Sequence, residues 1–166
     1  MIRKIMPSVL VLLSVLIDTA VLPFIPALSG AYTPLISLCT LVALALVSGP
    51  TLGSLHGMLT GLLLECSVMS HYGVRTVMFT LFGLLIGFAG RQSKWRLVSS
   101  LFGALFSFVI YEASMFFLQY LDSGLIDVGQ IWAGLVRVAI NTFITQVLFL
   151  LYWSIVQPDL DGYWRR

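Results

Sequence analysis

Thr19–Leu64 reads TAVLPFIPALSGAYTPLISLCTLVALALVSGPTLGSLHGMLTGLLL, 46 consecutive residues without Asp, Glu, Lys or Arg. At about 20 residues per bilayer crossing, this stretch alone holds two spans. The rest of the chain has the same character. Of its 166 residues, 59% are hydrophobic and 10% charged, where soluble domains average about 45–50% and about 25%. Its 16 charged side chains cannot cover a water-soluble globule of this length, and the mean hydropathy of +1.01 agrees. The composition predicts an all-α polytopic membrane protein. The length suits one integral membrane domain over residues 1–166, since domains run to about 100–200 residues.

Six spans are expected, at residues 5–24, 34–48, 51–66, 74–90, 97–121 and 128–157. The breaker-rich PFIPALSGAYTP closes the first, Ser48-Gly49-Pro50 the second, and Pro158 the last. The basic RQSKWR at 91–96 and the acidic DSGLID at 122–127 join the later spans. No alternating strand pattern occurs, so a six-transmembrane-helix bundle is expected rather than a barrel. The start, MIRKIMPSVLVLLSVLIDTAVL, has the basic and apolar parts of a signal peptide. Its apolar run continues to Leu28 without a small-x-small cleavage site, which predicts an uncleaved first helix.

Orientation follows from the basic residues, which are retained on the cytoplasmic side. With six spans, Arg3, Lys4, Arg91, Lys94, Arg96, Arg165 and Arg166 share one face, so both termini are expected in the cytoplasm. His71, Asp122 and Asp127 fall on the other face, with Arg75 at its border. Trp95, Trp153, Trp164, Tyr72, Tyr120 and Trp132 lie near the expected interfaces, as aromatic belts do. The net charge of +2 is explained by this pattern, so no nucleic-acid partner is expected. Cys39 and Cys66 have no metal-ligand or disulfide spacing and read as small buried apolar residues.

Two sets of residues inside the spans are candidates for function. Gly53, Gly57 and Gly61 recur every fourth position along one face of span 3, and Gly83 and Gly87 repeat the spacing in span 4. Small residues let helix backbones approach where lipid supplies no hydrophobic drive, so the stripe predicts packing between spans 3 and 4 or a groove for an outside partner. The second set is ionisable. Asp18, Glu65, Glu112 and Arg137 lie inside spans, where each costs at least about 2.5–3.5 kcal/mol unless paired or hydrated. A rise of about 1.5 Å per residue puts all four within a helical turn of one level in the outer half of the membrane. Asn141 shares the face of Arg137, and Gln146 follows. The layer predicts either a structural cluster in which Arg137 bonds one or two acids, or a polar cavity open to the outside. His56 reads as a packed or helix-end histidine. GxSxG, HExxH and P-loop patterns do not occur in the sequence, so no enzyme, metal or cofactor is expected.

Asp18 followed by Leu22-Pro23, and Gly53-Ser-Leu-His-Gly57-Met-Leu-Thr-Gly61-Leu-Leu-Leu-Glu65 with Gly73 before the fourth span, resemble the rod shape-determining protein MreD family. The likeness extends over the chain in length and span order. It departs in Glu65, where the family usually has Asp, and in Met69-Ser-His-Tyr72, where the family commonly has Ser-Gly. The resemblance implies a non-enzymatic scaffold of the bacterial cell-elongation machinery for rod shape and peptidoglycan synthesis, in the inner (cytoplasmic) membrane. It would bind MreC and act with MreB, RodA and a class B penicillin-binding protein. The family is similar in architecture to substrate-binding subunits of energy-coupling-factor vitamin transporters, the alternative function. The short first outside loop and the lack of AxxxA in span 1 favour the scaffold. An ion or proton carrier built on the charged layer is a third class.

Overall fold

The computed structural model describes residues 2–25, 32–68, 73–92, 96–124 and 128–160. Among these the chain is all-helical, with six α-helices: α1 (Ile2–Leu16), α2 (Ile36–Ser48), α3 (Pro50–Val68), α4 (Val74–Gln92), α5 (Arg96–Ser123) and α6 (Val128–Leu160). A π-helical turn, Ile17–Val21, and a 3₁₀ turn, Leu22–Phe24, extend α1. Pro158, expected to end the last helix, instead lies within α6. The residues His71, Tyr72, Lys94, Trp95, Asp127, Trp164, Arg165 and Arg166, which entered the orientation and belt expectations, are outside the described residues.

Three helices are long and apolar enough to cross a membrane, over Pro7–Phe24, Leu97–Ser123 and Gly129–Ser154. Shorter apolar helices occupy Ile36–Ser48 and Val74–Gly90. The outer faces of the long helices carry Leu12, Leu13, Leu16, Phe102, Phe106, Val109, Phe143, Leu150 and Leu151 exposed. An apolar surface of that extent is unsuited to water and suited to hydrocarbon.

The core is built around α2. All its residues from Ser37 to Val47 are buried, because LCTLVALALV is apolar on every side and a helix of that kind belongs inside. It touches α1, α3, α4, α5 and α6. Gly49 ends it with φ +87°, a backbone conformation open to glycine, and donates its N–H to the Ala45 carbonyl at 2.9 Å. Pro50 then starts α3, where its missing N–H costs nothing.

α3 and α4 make the most extensive helix pair. A Cβ added at Gly57 would overlap the Phe79 carbonyl, and one at Gly61 would overlap the Thr76 backbone. Gly53 and Gly83 face each other, Gly87 faces Gly49–Pro50, and Gly90 faces Leu46. The glycine faces of the two helices therefore meet backbone to backbone, and the end of the α4 face continues onto α2. Cys39 is buried as expected, but Cys66 is exposed. The turn that places Thr60, Gly61 and Leu64 inward leaves Cys66 on the outside of α3.

Candidate functional site

Arg137 on α6 and Glu112 on α5 form a two-point ion pair: Nε donates to Oε1 at 2.9 Å and Nη2 to Oε2 at 2.7 Å. Glu112 is 11% and Arg137 24% exposed by side chain, so the pair sits at the edge of the helix contact rather than in its centre. Gly134, one residue beyond Ala133, allows this approach, since an added Cβ would press on the Phe116 ring.

The other two acids do not join the pair. Asp18, on the π-helical turn, accepts from the Ile36 N–H with Oδ1 at 2.9 Å and from the Ser37 N–H with Oδ2 at 2.8 Å. It thereby caps α2 from another helix. The first N–H groups of a helix lack internal partners, and a carboxylate there also meets the positive end of the helix dipole. Asn141 on α6 completes the cap by accepting from the Leu35 N–H at 3.0 Å. Glu65 does the same for α4: its Oε1 accepts from the Arg75 N–H at 2.8 Å and its Oε2 from the Thr76 hydroxyl at 2.6 Å. Each capping group stands outside the helix that it caps, and Asn141 is 106 positions away in sequence.

Tyr111, beside Glu112 on α5, joins that helix to α4. Its ring packs on Phe79 of α4, with centroids 5.9 Å apart. The charged groups thus bond in separate sets. Sequence reasoning missed Thr76 and Tyr111. The order Gly73-Val-Arg-Thr76 marks a helix start but does not say which acid will cap it.

Below Asn141 a polar seam continues through the core. Thr145 donates to the Asn141 carbonyl at 2.8 Å, and Ser100 on α5 donates to Gln146 Oε1 at 2.8 Å. Thr40 on α2 donates to the Ser14 hydroxyl on α1 at 2.9 Å. His56 is buried and joins α3 to α1. Its Nδ1 donates to the Leu52 carbonyl, an acceptor only, at 2.7 Å, and its Nε2 lies 3.1 Å from the Ser8 hydroxyl. Among the described residues, no group of three or more His, Cys, Asp or Glu side chains could hold a metal.

Asp18→Ala is expected to destabilise the bundle by about 1–3 kcal/mol for each N–H left without an acceptor. Asp18→Asn, which keeps one acceptor oxygen, should lose about half as much. Thermal melting of the detergent-purified variants checks the order; equal melting temperatures for wild type and Asp18→Ala would refute the cap.

Comparison with models of known protein families, with curated protein sequences and with solved structures gives no match to this chain.

Proposed function

We propose that the chain is a six-span, non-enzymatic membrane scaffold of the MreD kind, which binds a single-span partner of the MreC kind in the bacterial cell-elongation complex. The observation that carries this reading is the use made of the intramembrane charges. Asp18 and Glu65 are bonded to helix starts, and Glu112 to Arg137. A carrier needs such groups free to exchange a proton or ion along a path; here they hold helices together. The residues that carry the resemblance to MreD, Asp18 and the Gly53–Glu65 stretch, fall among these contacts. MreB, RodA and a class B penicillin-binding protein are the further partners that the reading implies.

In this reading α2, α3 and α4 are crossings too, although α2, at 13 residues, reaches only about 20 Å of a hydrocarbon core of about 30 Å. A helix enclosed by protein need not present its ends to headgroups, because its terminal N–H groups can bond to side chains. Both termini lie in the cytoplasm. A reporter active only outside the cytoplasm should give a strong signal when fused near Ser123 and none at Arg166. A strong signal at Arg166 would reject the topology.

The functional test is co-expression with a single-span MreC protein, extraction in mild detergent and measurement of the partner retained. The scaffold reading expects a stable complex. A purified chain that holds a vitamin through extraction and no partner would instead identify the energy-coupling-factor type of subunit.

A further inference from the structure

α4 and α5 run antiparallel, with Ile86 beside Gly103 and the Phe79 ring packed on that of Tyr111. Toward the start of α4 and the end of α5 a groove of about 450 Å³ opens between them, lined by Val74 and Met78 on one side and by Ile110, Ala113, Ser114 and Phe117 on the other. The polar side chain among these, Ser114, returns its hydroxyl to the Ile110 carbonyl at 2.8 Å. The walls therefore call for an apolar occupant. Ile110 is the midpoint of the apolar stretch Leu97–Ser123, and Phe117 lies about 10 Å beyond it along the helix. The groove thus spans the depth that acyl chains occupy in one leaflet of a bilayer.

A cation stands at the end of the groove away from the membrane centre. Arg75 follows Val74 in the first turn of α4 and precedes Phe79 by four positions, so it shares the face that meets α5. Helical side chains lean toward the start of their helix, which carries the guanidinium toward the membrane surface. Its Nε is buried without a hydrogen-bond acceptor. The Glu65 carboxylate reaches Arg75, but it accepts from the backbone N–H at 2.8 Å and from the Thr76 hydroxyl at 2.6 Å rather than from the guanidinium. A guanidinium presents its donors in a plane that matches phosphate oxygens. Half-buried at the edge of hydrocarbon, it favours an anion.

Two turns of an α-helix with its side chains fill on the order of 1,000 Å³, more than twice the volume of the groove. A helix could lie only across its mouth. An extended acyl chain is thin enough to lie within, and a phospholipid carries its phosphate at the surface end of its chains, as Arg75 stands at the surface end of the groove. We propose that the groove between α4 and α5 holds one acyl chain of a phospholipid whose phosphate bonds the Arg75 guanidinium. Phosphatidylglycerol suits the site better than phosphatidylcholine, whose own ammonium already accompanies the phosphate. The inference needs only that α4 and α5 lie in a bilayer, so it goes beyond the scaffold reading and stands or falls apart from it.

The test purifies the full chain in mild detergent with equal amounts of the two lipids and counts those retained by native mass spectrometry. Arg75→Gln removes the charge and keeps the backbone N–H that Glu65 accepts; Ala113→Leu fills the groove from an exposed position on α5. Wild type should retain one phosphatidylglycerol about tenfold more often than phosphatidylcholine. Arg75→Gln should lose that preference, and Ala113→Leu should lower retention of both lipids about tenfold. Phosphatidylglycerol with a photoreactive acyl chain should label Met78 or Phe117 of the extracted wild-type chain and leave Leu12, on the exposed face of α1, unlabelled. Wild-type retention in Ala113→Leu, or an unchanged preference in Arg75→Gln, would overturn the site. If a variant fails to fold, the labelling of wild type decides: equal labelling of Leu12 and the groove residues refutes a bound lipid. A photo-crosslinking residue at Phe117 that captures a co-expressed single-span protein in place of lipid would give the groove to a partner helix and refute it as well.

Discussion

Arg137→Leu should cost the bundle about 3–5 kcal/mol, because it leaves Glu112 as a carboxylate without its cation in the α5–α6 contact. The pair itself contributes little by comparison with an apolar replacement of similar volume, since two charges must leave water to form it. The double variant Arg137→Leu/Glu112→Leu should therefore recover most of the loss. Thermal melting in detergent of wild type, both single variants and the double variant provides the cycle. A double variant no more stable than Arg137→Leu would show that the two side chains are not coupled. Neither Asp18 nor Glu65 should rescue Arg137→Leu in the same way, because their oxygens are bonded to the starts of α2 and α4.

An even smaller change should do comparable damage at Gly57. Alanine adds one methyl group, but that group would overlap the Phe79 carbonyl. A carbonyl in a helix cannot rotate away as a side-chain end can, so α3 and α4 must separate along their length. The expected cost is at or above the upper end of the about 1–3 kcal/mol typical of overpacked sites. Leucine at Gly57 or Gly61 should prevent accumulation of folded protein. Gly103 on α5 supplies the control: a Cβ there would meet only Ile86 side-chain atoms at 3.7 Å, an ordinary contact. Gly103→Ala should thus be neutral or stabilising by up to about 1 kcal/mol, the helix-propensity gain of alanine over glycine. Folded yield and melting temperature measure both. Equal behaviour of Gly57→Ala and Gly103→Ala would contradict the close packing of α3 on α4.

Much of the helical layout was readable from the sequence because its signals are local. Ser48-Gly49-Pro50 and the basic and acidic loops interrupt long apolar runs, and the observed helices begin and end within a few residues of those breaks. Pro158 was misread because proline inside a helix is disfavoured but can be carried by its neighbours. The glycine spacing announced a close contact, since a period of four selects one helix face. The partners of the charges were not readable. Asp18, Glu65 and Glu112 look equivalent as acids in apolar runs, yet two bond to backbone N–H groups and one to Arg137. What separates them is which helix start or side chain the tertiary packing brings near. The position of Asn141 beside the start of α2 joins residues more than 100 positions apart, a relation that no local pattern encodes.

The remote cap on α2 has a consequence for biogenesis. As the chain leaves the ribosome, α2 emerges early, while Asn141, which bonds the Leu35 N–H, is made near the end. Until α6 inserts, the start of α2 has Asp18 but not its second acceptor, and much of the protein surface that encloses its 13 residues is not yet in place. A segment that short gains little by entering lipid alone. Its packing is therefore a late event, completed when the last helix closes around a segment translated long before.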